Sequence, residues 1–154
     1  MKLRPGTSSD AGYIASLIAK FQREITIHPD GEGAEQYFAS VSQQAEQTYL
    51  DSNRYAFLLA EDEGALLGFI ALRDTSHVFH LFVAKEHQRK GVARLLWNEA
   101  RERALKTGAP THFTVNSSLG AVAVYRAFDF EPTGEVTSVH GISFLPMRLA
   151  VHRE

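Results

Sequence analysis

The chain of 154 residues contains no cysteine. That absence removes disulfide frameworks, zinc sites built on thiolates and cysteine nucleophiles together, and it fits a reducing compartment. Long apolar runs are missing as well. The longest, residues 65–72, is too short to span a bilayer, and residues 1–10 hold no apolar signal-peptide core. The expected setting is therefore cytoplasmic, with no membrane partner. Neither charge dominates: 16 Lys and Arg stand against 18 Asp and Glu, a formal net charge of −2. Nucleic-acid-binding domains carry a basic surplus, so no nucleic-acid partner is expected. Low-complexity stretches and repeats of solenoid or propeller period are also lacking. What is present is an ordinary globular composition, 44% apolar and 22% charged, sufficient for a real core. Residues 1–154 read as a single domain.

Apolar spacing divides the chain into elements. Residues 1–4 predict a short edge strand ended by Pro5-Gly6, after which Ser8, Ser9 and Asp10 offer N-cap side chains to a helix. Its core face is Ile14, Leu17, Ile18, Phe21 and Ile25. A loop of turn formers follows at 28–33, then a second helix over about 34–50 with a weaker stripe of Tyr37, Phe38, Val41, Ala45 and Tyr49. Residues 55–60 and 65–72 predict a hairpin with a charged turn, and 77–83 a third strand. A long helix is expected over 90–106, with Val92, Leu95, Leu96, Ala100 and Ala104 inward and Gly108-Ala109-Pro110 as its stop. Then come a strand at 111–115, a helix at 119–128, and strands at 130–136 and 142–151. The order predicts the α+β class, a mixed α/β arrangement with helices covering a sheet.

The most informative stretch runs from a strand through a polar turn into the long helix: Gln88-Arg89-Lys90-Gly91-Val92-Ala93. Unpaired backbone N–H groups at a helix start, aided by the helix dipole, form an anion site. Gly91 and Ala93 let the backbone approach a pyrophosphate closely, while Arg89, Lys90 and Arg94 add positive charge. This segment resembles the (Gln/Arg)-x-x-Gly-x-(Gly/Ala) motif of the GNAT superfamily of N-acetyltransferases, which bind acetyl-CoA. A second segment, Ser118 to Phe130, resembles that family's Asn-x-x-Ala-x-x-x-Tyr-x-x-x-Gly-Phe. Ala121, Tyr125 and Phe130 match it, whereas Ser118 replaces the usual Asn and Asp129 the usual Gly. Aspartate is among the few residue types that tolerate the left-handed conformation of such a turn.

The resemblance implies a mostly antiparallel sheet of about six to seven strands flanked by about four helices, with a splayed central pair at 77–83 and 111–115. It implies that the pantetheine arm of acetyl-CoA lies between the splayed strands. Leu81 and Val83 would offer backbone groups, Phe82 would sit beside the acetyl group, and Gln88, Arg89, Lys90, Gly91, Val92 and Ala93 would hold the pyrophosphate. Ser118 is a further cofactor contact. The family also implies a small-molecule or peptide amine as acceptor and a homodimeric habit.

Acetyl transfer makes three demands: a neutral amine, a polarised thioester carbonyl and a proton for the leaving thiolate. An amine of pKa ~10 is neutral in only about one part in a thousand at pH 7, so a base assists attack. A departing thiolate of pKa ~8.5 calls for an acid, and the phenol of Tyr125, of ordinary pKa ~10, is the candidate. His80, just before Leu81 on its strand, is the candidate base, because an imidazole of pKa ~6.5 is largely neutral at pH 7. His77 and His80, three apart on a regular strand, are expected on opposite faces, and no His-Glu-x-x-His helix occurs, so no metal site is expected. Around the acceptor, the resemblance points to His28, Asp30, Glu32, Glu35 and Tyr37, with residues 140–149 lining the pocket or a dimer edge. A non-catalytic acyl-CoA-binding regulatory or interaction module is the alternative reading.

Overall fold

The structure, a computed structural model, describes residues 1–152. Along the chain it contains β1 (Lys2–Pro5), α1 (Ala11–Ala19), α2 (Gln22–Ile25), α3 (Glu35–Ser40), α4 (Gln43–Leu50), β2 (Tyr55–Asp62), β3 (Ala65–Arg73) and β4 (His77–Val83). It continues with α5 (Val92–Thr107), β5 (His112–Ser117), α6 (Val122–Ala127), β6 (Glu131–Pro132), β7 (Thr137–Val139) and β8 (Ile142–Ala150). The strands form an eight-stranded sheet in the order β1-β2-β3-β4-β5-β8-β6, with β7 also on β8. Every pairing is antiparallel except that of β4 with β5. The α+β class is as expected, and the strand count is slightly higher. The stretch 130–136 supplies only the two residues of β6, since Pro132 lacks a ladder donor and Gly134 follows it, and β7 then forms separately.

The first two predicted helices are each broken in two. Ser42 ends α3 and starts α4: its backbone is extended and its hydroxyl accepts from the Ala45 amide at 3.1 Å, a restarted N-cap. After α1, Phe21 turns its ring onto Phe82, with centroids 5.4 Å apart, and Thr26 bridges to Ile142 of β8. At the start of α1, Asp10 faces inward rather than acting as a simple exposed cap. It accepts two bonds from the Arg4 guanidinium, at 3.0 and 2.9 Å, and one from the Thr7 amide at 2.8 Å.

Apolar side chains fill both faces of the sheet. Leu96, Trp97 and Ala100 of α5 pack with Ile70, Phe113 and Met147 on one face. On the other, Ile14, Leu17 and Ile18 of α1 cover Phe57, Leu59 and Phe69. Helix α5 is rotated slightly from the expected register: Trp97 is buried, and Leu95 is 38% exposed.

One irregularity positions the site. Along the β3 and β4 ladder, Val78 pairs with Leu72 and His80 with Ala71, so Phe79 is an extra residue, a β-bulge. The extra residue cancels the alternation expected of a regular strand. His77 and His80 therefore line the same cavity instead of facing opposite sides of the sheet.

Candidate functional site

The parallel pairing of β4 and β5 is confined to His77 with Thr114 and Val78 with Val115, after which the strands diverge. Into this opening fits a cavity of about 270 Å³. Leu81, Phe82, Ser118 and Tyr125 line it from the splayed strands and α6, while Tyr37, Val41 and residues 142–144 close the far side. Divergence leaves the β5-facing edge of β4 without its ladder partner beyond Val78, which is where an extended ligand finds main-chain hydrogen-bonding groups.

At the outer end of β4 the chain turns into α5. Gln88 anchors the turn by donating from its side-chain amide to the Val83 carbonyl at 3.0 Å. Arg89 and Gly91 both take positive φ, 64° and 81°, and the first amide to donate into α5 is that of Leu95, to Gly91. The amides from Arg89 to Arg94 thus have no backbone acceptor among the described residues. A side chain at Gly91 would meet nothing within 4 Å, so the space above these amides is open. Arg89 and Lys90 are exposed beside it, and the Val92 side chain is in the core, leaving its amide as the group it presents. Arg94 is spent elsewhere: it donates to the Ala127 carbonyl at 3.2 Å and covers the Phe128 ring at 5.1 Å. Backbone donors, local positive charge and an open approach suit a pyrophosphate.

Tyr125 is held by the end of α6. The Phe130 amide donates to the Tyr125 carbonyl and the Asp129 amide to that of Arg126, a Schellman closure with Asp129 left-handed at φ 73°. Its ring packs edge-on against Phe130 at 5.6 Å, and the residue is 5% exposed. Burial pushes the phenol above its ordinary pKa, so it is protonated at neutral pH. Ser118 starts the short turn at 119–121 that leads into α6, without a side-chain cap bond, and faces the cavity.

His80 is buried among the rings of Phe57, Phe69, Phe79 and Phe82. Its Nε2 shares a hydrogen bond of 3.0 Å with Oε2 of Glu46, a residue 0% exposed on α4. Sequence reasoning missed Glu46, which stands among Gln43, Gln44 and Gln47 and reads as part of a solvated face. Of the residues to which the resemblance points around the acceptor, His28, Asp30, Glu32 and Glu35 do not line the cavity. Asp30 and Glu35 accept backbone amides of their own loop at 3.0 and 3.3 Å, and of that group only Tyr37 reaches the cavity. Arg73 is the one Lys, Arg, Asp or Glu among the lining residues. His77 bonds Thr114 Oγ1 at 2.8 Å, and burial, then the Arg73 charge, lowers its pKa to about 4.

Comparison with known proteins agrees with this geometry. A rat protein named N-acetyltransferase family 8 member 3 is 33% identical over 100 residues, covering 58% of this chain and 44% of its own length. Human N-acetyltransferase 8 is 30% identical over the same shares. The chain thus spans less than half the length of the relatives it matches. Among solved structures, a GCN5-related N-acetyltransferase from Rhodopseudomonas palustris superposes with a TM-score of 0.79 at 18% identity, over 97% of this chain and 95% of that one. The paia N-acetyltransferase from Thermoplasma acidophilum, in complex with coenzyme A, gives 0.74 at 18% identity, over 97% and 98%. No helix among the described residues is long and apolar enough to cross a membrane. The model of the acetyltransferase (GNAT) domain matches residues 25–151, and the chain belongs to that superfamily.

Proposed function

We propose that this chain transfers an acetyl group from acetyl-CoA to a primary amine of a small molecule or peptide by direct attack on the thioester. The observation that carries the reading is the opening between β4 and β5, with His80 and Tyr125 lining one cavity and the free amides of Arg89 to Arg94 at its outer end. Those amides, with Arg89 and Lys90, would hold the pyrophosphate. The unpaired edge of β4 at Leu81 to Val83 would hold the pantetheine, and Ser118 would contact it from the facing turn. When bound, acetyl-CoA supplies an acyl carbon activated as a thioester.

His80 takes a proton from the ammonium form of the acceptor, freeing its lone pair, and gives that proton to solvent once the products leave. The amine nitrogen bonds to the acyl carbon, and the carbon–sulfur bond breaks. Tyr125 gives its phenol proton to the departing sulfur and is reprotonated by the proton the new amide nitrogen sheds. The phenol, its pKa raised further by burial, is protonated across the neutral range.

Calorimetric titration with acetyl-CoA, run beside free-thiol release over polyamines, amino acids and short peptides, tests the reading. Binding with amine-dependent thiol release is expected. Tyr125→Phe should lower kcat about 100-fold with acetyl-CoA affinity within about twofold of wild type. Binding without thiol release for any amine would favour the non-catalytic acyl-CoA-binding module.

A further inference from the structure

We infer that Glu46 is a positioning residue for His80, fixing which ring nitrogen carries the proton; the inference rests on the acetyl-transfer reading. Glu46 comes from α4, outside the strands and turns that hold the recognisable motifs, and it is fully buried. Its Oε2 lies 3.0 Å from His80 Nε2, whereas its Oε1 is sealed from solvent with no hydrogen-bond partner. Among the described residues, His80 is its one ion-pair partner. Around the pair, the charge of Glu46 adds to burial in raising the pKa of two phenols, Tyr37 on α3 and Tyr49 on α4. The phenyl rings of Phe57, Phe69, Phe79 and Phe82 also pack against the imidazole.

A half-satisfied buried carboxylate is costly, and an apolar side chain at this position would be buried without that cost. What the carboxylate adds is direction. A carboxylate only accepts, so Nε2 carries the ring proton toward Glu46, and the lone pair resides on Nδ1. Nδ1 has no protein hydrogen-bond partner among the described residues, and the ring lines the cavity. When Nδ1 takes the proton of the acceptor ammonium, the imidazolium forms beside a fixed negative charge, and the Nε2 proton stays on the ring. An amide in place of the carboxylate can donate or accept, so neither the tautomer nor the imidazolium is held.

The first test needs no variant. Nitrogen-15 NMR of the His80 ring in the wild-type protein should show the proton on Nε2, and a proton on Nδ1 would overturn the proposal. Glu46→Gln should then populate both tautomers and lower kcat about 10- to 100-fold, with acetyl-CoA affinity within about twofold of wild type. Wild-type kcat in a folded Glu46→Gln protein would overturn the positioning role while leaving acetyl transfer standing. Absence of turnover by the wild-type protein for every amine would instead overturn the acetyl-transfer reading, and with it the catalytic purpose of the pair, whatever the tautomer.

Discussion

His77 sits in the cavity wall as a neutral ring bonded to Thr114, and its lowered pKa has a consequence for stability. Unfolded, its pKa returns to ~6.5. Between about pH 4 and 6.5 the unfolded chain therefore binds more protons at this site, so stability rises with pH through that window. The contribution is complete above the unfolded value and is lost as pH falls toward the folded one. Discounted for partial exposure, it amounts to about 2 kcal/mol over the whole window. Asp10, held low chiefly by Arg4, acts in the same sense, its stabilisation being lost as pH falls, but only below its ordinary 3.8, outside the range tested. Urea midpoints at pH 7.5 and 5 should fall further for wild type than for His77→Gln, by the equivalent of about 1 kcal/mol. Equal losses would mean that His77 protonates within the fold at its ordinary pKa. At this scale the place of Tyr125 and His80 in the cavity wall was legible, because a motif and a strand position singled them out. Glu46 was not, since its burial depends on a helix restart and a bulge that no local pattern announces.

The elements were legible wherever turn chemistry is strong. The hairpin of β2 and β3 closes with Glu63 and Gly64 both at positive φ, 50° and 83°, directly between the paired Asp62 and Ala65. The two early helices were less so. Periodicity runs through residues 20–21 and 41–42, and the breaks there are set by Phe82, Ile142 and the Ser42 cap rather than by a Gly or Pro. The end of α6 offers a test at this level. Asp129 is exposed, makes no side-chain hydrogen bond among the described residues, and occupies a left-handed C′ position that glycine adopts without steric penalty. Asp129→Gly should stabilise the protein by about 0.5–1 kcal/mol, read as a higher denaturant midpoint at unchanged m-value. A lower midpoint would show that the cost of a more flexible unfolded chain outweighs the relieved backbone.

Across the whole molecule, the cavity is assembled from chain regions distant in sequence, which explains why its walls were only partly foreseen. Ile25, Tyr37 and Val41 arrive before β2, whereas residues 142–144 arrive with the last strand. They are locked together at Gly141. Its carbonyl accepts from the Ile27 amide at 2.9 Å, its φ is 76°, and a Cβ there would overlap the backbone of Gly33 and lie 2.6 Å from the Ala34 amide nitrogen. Gly141→Ala must therefore push the β7 and β8 turn off residues 33–34, because neither side is a flexible side chain that can yield. The amides of Arg89 to Arg94 lie on another part of the fold and should not follow. Hydrogen exchange in Gly141→Ala should accelerate at Ile27 and Ile142 while the amides of α5 and β5 keep their protection. In the catalytic reading, KM for the amine should rise about 10-fold, with acetyl-CoA affinity within about twofold of wild type. Loss of protection spreading evenly into α5 would mean that this seam supports the whole sheet, and that the acceptor wall cannot be loosened apart from the cofactor cleft.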